Sequence, residues 1–223
     1  PETKLRSFPG LEGSTYASQY VVGYPTSIVK VYNYEGIDPK TGLYKFTDYN
    51  NDGKITSPDD NQIIEKIAVR YFGGWSNRFT YNQWEFSFLF QFVNQRQMNY
   101  NSLMPRPGSM YNQPTEVLDV WSLDHPDGQY MPYSSGANAQ INRLHGYFSK
   151  STAAVSDASF IRLKNIQLGY RLRVNKYLQD ARFYVQGQNL LTLTHYFGLD
   201  PEFSLTGFLP PLKTWSFGVQ LNF

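Results

Sequence analysis

The chain has 223 residues and a net charge of +2, and its 18 Tyr, 16 Phe and 4 Trp make aromatics 17% of it, as large a share as all charged residues together. That hydrophobic content excludes disorder as the default, the weak charge offers no basic face for nucleic acid, and the absence of cysteine excludes disulfides, thiol catalysis and thiolate metal sites. No apolar run approaches the roughly 20 residues of a membrane-spanning helix, and with Pro1 first and no basic-then-apolar leader the chain reads as a fragment or a mature piece.

From the N-terminus, the first expected strand is 27–34, where Ile28 opposes Val29 and Val31. A long Gly/Pro/Asn-rich connection, 35–67, follows. Residues 69–81 then alternate Val69, Tyr71, Trp75, Phe79 and Tyr81 with Arg70, Ser76, Arg78 and Thr80, and Gly73-Gly74 sit where a bend or bulge would be tolerated. After Asn82-Gln83 alone, residues 84–94 set Trp84, Phe86, Phe88, Phe90 and Phe92 against Glu85, Ser87, Leu89, Gln91 and Val93. The long segment 95–157 predicts one helix, at about 115–122, with a Val117, Leu118, Val120, Trp121 face.

Period two returns at 158–172, where Ile166, Leu168, Tyr170 and Leu172 oppose Asn165, Gln167, Gly169 and Arg171. Ile161 and Leu163 hold the other parity, which predicts a bulge near Lys164–Asn165. A short turn at about 173–181 leads into 182–195, with Phe183, Val185, Leu191 and Leu193 on one face. After a third long connection, 196–212, the last strand runs Trp215, Phe217, Val219, Leu221 and Phe223 against Ser216, Gly218, Gln220 and Asn222.

Short turns at one end and long loops at the other describe a transmembrane β-barrel. A soluble sandwich also alternates, but its inner face is aliphatic and its outer face rich in Lys and Glu. Here the apolar face is Phe, Trp and Tyr, and the other is Gln, Asn, Ser, Gly and Arg, as a hydrated lumen requires. Aromatics gather at strand ends, where interfacial girdles form. About six strands cannot close a barrel, because the smallest bacterial ones have eight. The expected fold is therefore all-β, part of a larger antiparallel barrel.

Several segments carry a family likeness. Gly36-Ile37-Asp38-Pro39-Lys40-Thr41-Gly42-Leu43-Tyr44-Lys45-Phe46 resembles the GxDPxTGxYxF segment of the SusC/RagA-type TonB-linked outer-membrane proteins of Bacteroidetes, and Asp48 to Ile55 continue it. Tyr71-Phe72-Gly73-Gly74, Phe86 to Phe92, Ser159 to Asn165, Leu168-Gly169-Tyr170, Gln186 to Leu190, Leu199-Asp200-Pro201-Glu202, Leu209-Pro210-Pro211 and Phe217 to Phe223 follow in family order. The resemblance implies the C-terminal portion of a 22-stranded barrel, residues 1–223, with the plug and TonB-interacting parts upstream. It implies import of oligosaccharides or peptides beside a SusD-like surface lipoprotein. The location would be the outer membrane of a Gram-negative bacterium, with long loops extracellular and the C-terminus periplasmic. The aromatic Phe223 closing an alternating strand is the feature read by barrel-assembly machinery.

Candidate sites follow from residue types. Asp48, Asn50, Asp52, Lys54, Thr56 and Asp59 fit a calcium-loop template, with Gly53 at its sharp turn and Asp60 as a substitute for Asp59. The alternative is an Asx-rich turn held by its own side chains. No catalytic residues are expected: His125, His145 and His195 are scattered, and Ser122 with Asp124-His125 cannot form a triad from near-neighbours in sequence. Tyr100, Tyr111, Trp121, Tyr130 and Tyr133, spread among amides and serines, are candidates for substrate or partner contact or for the loop's own core. Arg70, Arg78, Arg171 and Arg182 face the expected lumen, where Glu85 could pair with them. Trp84, Phe86, Phe88, Phe90, Trp215, Phe217, Val219, Leu221 and Phe223 are expected to face the bilayer. The rival readings are a calcium-stabilised β-rich binding or adhesion domain, and a barrel serving a structural role in another outer-membrane assembly.

Overall fold

Ten strands carry the chain in the computed structural model, which describes residues 3–172, 180–203 and 209–222. It divides into two compact units, Pro1–Ala68 with Arg96–Ser156 and Val69–Gln95 with Asp157–Phe223.

The first unit holds β1 (Ile28–Val31), β2 (Tyr34–Ile37), β3 (Tyr44–Phe46) and β4 (Ile63–Lys66). β1 pairs antiparallel with β4, and β2 with β3. The strand expected at 27–34 therefore exists but joins a separate two-stranded ladder rather than the long sheet. Its neighbourhood explains this: Ile28, Val31 and Tyr32 are buried, so β1 has no lipid-like face to offer. The core of this unit is aromatic. Tyr44 stacks on Phe148 at 4.2 Å, Tyr34 meets Phe148 edge-on at 5.3 Å, and Tyr32 lies 5.0 Å from Tyr147. Met104, Val117, Val120, Tyr130 and Met131 complete it.

The helix expected at 115–122 is only a 3-10 turn, Thr115–Leu118. Instead α1 forms at Ala139–Phe148, capped by Asn138, whose side chain accepts from the Gln140 and Ile141 amides. Ile141, Leu144, Tyr147 and Phe148 form its inward stripe at helical spacing.

The second unit is the long sheet. It contains β5 (Val69–Tyr81), β6 (Trp84–Met98, whose last residues belong to the first unit), β8 (Phe160–Leu172), β9 (Asp180–Thr194) and β10 (Thr214–Asn222). Its strand order is β10-β9-β8-β6-β5, all antiparallel, and β7 (Val155–Asp157) pairs with β6 as the sixth strand. Strands of 13 or 15 residues exceed the 9–11 that a tilted strand needs to cross hydrocarbon. Asn82 takes the left-handed conformation (φ 52°) that the two-residue β5–β6 turn uses. The bulge expected near Lys164–Asn165 is present, since the β8–β9 register shifts between Leu163 and Asn165. Gly73 and Gly74 make no bulge; the β5–β6 register shifts at Val69–Tyr71 instead. Gly73 is needed because the Phe92 ring occupies the space a Cβ would fill. Most of the turn expected at 173–181, and Phe223, lie outside the described residues.

No helix among the described residues is long and apolar enough to cross a membrane, which says nothing of the strands.

Candidate functional site

Register converts alternation into two chemically opposite surfaces. Phe79 sits across from Phe86, Phe86 from Leu168, Leu168 from Val185, and Val185 from Phe217, one apolar row over five strands. A parallel row runs Tyr81, Trp84, Tyr170, Phe183, Val219, with Trp84 and Tyr170 rings 4.7 Å apart. Trp75 opposes Phe90, Phe90 opposes Leu163, and Leu163 opposes Leu191. Trp75, Phe79 and Phe217 are 58%, 55% and 79% exposed, so no second sheet covers this face among the described residues. A contiguous apolar face of this extent is unfavourable in water and matches hydrocarbon.

The opposite face is polar along the same register. Arg78, Ser87, Gln167, Gln186 and Ser216 form one row, and Thr80, Glu85, Gly169, Tyr184 and Gly218 the next. Arg182 donates to Glu85 at 2.7 Å, Arg78 lies 3.9 Å from the same carboxylate, and Arg182 also covers the Tyr184 ring at 5.5 Å. Glu85 thus pairs with two of the four arginines expected on this face.

The acidic loop turns its side chains onto its own backbone. The Gly53 amide donates to Asp48 Oδ2 at 2.7 Å, Asp52 N to Asn50 Oδ1 at 3.1 Å, and Lys54 N to Asp52 Oδ1 at 2.7 Å. Gly53 (φ 77°) and Asn51 (φ 58°) supply the left-handed positions of the turn. Asp60, not Asp59, closes the loop: it is fully buried and accepts from Tyr49 N and Thr56 N, both at 2.7 Å. The Asp59 carboxylate accepts from the Thr56 hydroxyl, at a longer 3.4 Å. Asp48 Oδ1 is buried with no hydrogen-bond partner. Among the described residues no group of three or more His, Asp or Glu side chains converges in a form able to hold a metal ion.

The five aromatic candidates separate. Tyr130 is buried in the first unit's core, its hydroxyl donating to Asn101 Oδ1 at 3.3 Å, and Tyr100 packs against that core. The Trp121 ring lies across Gly42. Tyr111 and Tyr133 remain 75% and 55% exposed. Tyr130 and Tyr34 line a cavity of about 430 Å³ with Asn101, Asp127, Gln129 and Phe148. Burial, and then the nearby Tyr130, push the Tyr34 phenol up to about 12, so both cavity tyrosines stay protonated donors at neutral pH. His145 donates Nε2–H to the Met104 carbonyl at 2.9 Å; burial lowers its pKa, and Arg106 lowers it further.

One cluster joins two motifs whose connection the sequence did not reveal. Arg162, 1% exposed, sends Nη2 to Asp200 at 2.6 Å, Nη1 to Glu202 at 2.7 Å and Nε to Thr192 Oγ1 at 3.0 Å. The signal lay in an arginine at an interior-facing strand position and a downstream Asp-Pro-Glu, but nothing in the spacing joined them.

No family model matches the chain. Among curated proteins it is similar to three TonB-dependent receptors of Formosa agariphila: P39 (32% identical, 73% of this chain), P26 (30%, 76%) and P3 (27%, 83%). The chain spans less than a fifth of the length of each, namely 16%, 17% and 19%. Two solved structures, of the RagAB peptide transporter and of the RagAB peptide importer in its open-open state, superpose with a TM-score of 0.70 at 25% identity. They cover 91% and 92% of this chain and 23% of theirs. Ordered motifs, the two-faced sheet and these relatives agree: the chain belongs to the SusC/RagA-type TonB-dependent receptors, of which it represents one portion.

Proposed function

We propose that the long sheet is a section of barrel wall in an outer-membrane importer, and that the complete protein takes up oligosaccharides or peptides with a SusD-like surface lipoprotein. Energy would come from TonB through parts outside this chain. The observation that carries this reading is the set of apolar rows crossing every long strand on one face while polar rows cross them on the other. Hydrocarbon tolerates only strands closed into a barrel, so β5 and β10, at the two ends of the strand order, would pair with further strands of the complete protein. The Asn82-Gln83 turn would face the periplasm and the long connections the cell exterior.

The peptide importers among the similar structures favour peptide as cargo, and the exposed Tyr111 and Tyr133 offer contact groups for cargo or lipoprotein. On this reading the chain serves transport and carries no catalytic step. Calcium in the 48–60 loop would take the unpartnered Asp48 Oδ1 with Asn50 and Asp52, which requires those side chains to leave their backbone amides. Deleting the full-length gene in its host and following growth on peptides or glycans as sole nutrient, with purification of the co-isolating lipoprotein, tests the reading. Unchanged growth on every such nutrient contradicts it.

A further inference from the structure

The geometry points to Arg162 as a positioning residue that holds segment Leu199–Phe203 folded inward over the interior face of the wall and thereby sets the width of the barrel mouth. This rests on the barrel-wall reading.

Arg162 stands on β8 opposite Thr192 of β9, one residue from the apolar-face position Ile161 and therefore on the polar face. An arginine there should reach into a hydrated lumen, yet it is 1% exposed. What covers it includes the chain after β9. Asp200 and Glu202 each take one terminal nitrogen of the guanidinium, Thr192 takes Nε, and the Phe160 ring lies 5.0 Å from its carbon. Lys164 adds a second cation on Glu202 at 3.1 Å. From β6, Gln95, itself 5% exposed, donates Nε2 to the Pro201 carbonyl at 2.6 Å and to the Ala158 carbonyl at 3.3 Å. Glu202 N returns to Asp200 Oδ1 at 2.9 Å, closing an Asx turn around the proline.

Two strands, β8 and β6, therefore hold Asp200, Pro201 and Glu202 of the β9–β10 connection against the polar face, at the end of the sheet from which the long connections leave, and Thr192 of β9 fixes the arginine that does so. A bidentate, desolvated arginine is the group whose geometry lysine cannot reproduce. A loop folded inward at a barrel mouth narrows the passage; one folded outward leaves it wide.

The test uses the full-length protein on intact cells, with a single cysteine replacing Leu89, an exposed residue on the interior face of β6. Maleimides on polyethylene glycols of increasing mass then report the largest probe that enters from outside. Arg162→Gln is expected to admit larger polymers and raise labelling by an excluded probe at least tenfold, with Arg162→Lys intermediate. A small maleimide should label all three proteins equally, which shows that the cysteine is reachable in each, and heat-modifiable gel mobility should show that each is folded. An unchanged size limit in Arg162→Gln, with equal small-probe labelling, overturns the assignment. If Arg162→Gln fails to assemble, Asp200→Asn with Glu202→Gln releases the same segment and must widen the limit, or the assignment is wrong. Labelling needs neither TonB nor a known cargo, so failure here is separable from failure of the import reading, which growth reports.

Discussion

The Trp121 indole lies across Gly42, whose φ of 71° and missing Cβ both permit the approach. A side chain at Gly42 would meet the ring and also adopt a left-handed backbone, so Gly42→Ala should destabilise the first unit by about 1–3 kcal/mol. Denaturant unfolding of the full-length protein in detergent measures it. Trp121→Ala should likewise cost stability, read by the same denaturant unfolding.

His145 should make the first unit sensitive to acid. Its imidazole is held neutral, with a folded pKa below the ordinary histidine value of about 6.5. The unfolded chain binds the proton first, so the stability is fully present above about pH 6.5 and is lost as pH falls from there through the folded value. Hydrogen exchange of α1 should speed up over that interval, and His145→Gln should flatten the dependence. An acid-insensitive wild type would contradict this.

The two faces of β6 should respond oppositely to charge. Phe88→Arg places a cation among Trp75, Phe90 and Ile166, and near the bilayer midplane should cost about 2–4 kcal/mol. Ser87→Lys, between Arg78 and Gln167 in the polar row, should fold normally. Heat-modifiable gel mobility of the full-length protein distinguishes folded from unassembled barrel in both.

Tyr184 on β9 occupies the space above Gly218 of β10, its cross-strand partner, where a Cβ would overlap the phenol ring. Gly218→Val should displace Tyr184 and cost about 1–3 kcal/mol by overpacking, read as a lower unfolding temperature. Tyr184→Ala in the same chain should recover most of that loss.

Asp60 is the residue on which the acidic loop closes. Asp60→Ala leaves the Tyr49 and Thr56 amides without acceptors and should cost about 1–3 kcal/mol whether or not calcium is present. Asp59→Ala should cost far less. Calorimetric titration separates the ion's role: calcium binding abolished by Asp52→Asn supports an ion site, and no heat in the wild type leaves the loop as a self-capped turn.

The wall was legible because period two is a property of each strand alone: Trp84, Phe86, Phe88 and Phe90 state the face without knowledge of their neighbours. The bulge at Lys164 was legible for the same reason, as a change of parity. The first unit was not, because its order comes from contacts between distant residues. α1 is not legible in the sequence since Arg143, His145 and Gly146 dilute its stripe, and only burial against Tyr34 and Tyr44 brings Phe148 into the core. The candidate aromatics could not be sorted from sequence: Tyr130 and Tyr133 are three residues apart, yet one is buried and the other open. Arg162 and Asp200 are 38 residues apart and meet only once β8 and β9 pair.

The central claim, that this sheet separates lipid from a watery interior, is tested most directly by nitroxides placed singly from residue 84 to 92 in the full-length protein in a bilayer. Collision with oxygen should peak at 84, 86, 88, 90 and 92, and collision with a water-soluble nickel chelate at the residues between. The same alternation should recur at 215, 217, 219 and 221. Equal nickel accessibility on both parities, or neither reagent reaching the even positions because another protein layer covers them, would contradict the account.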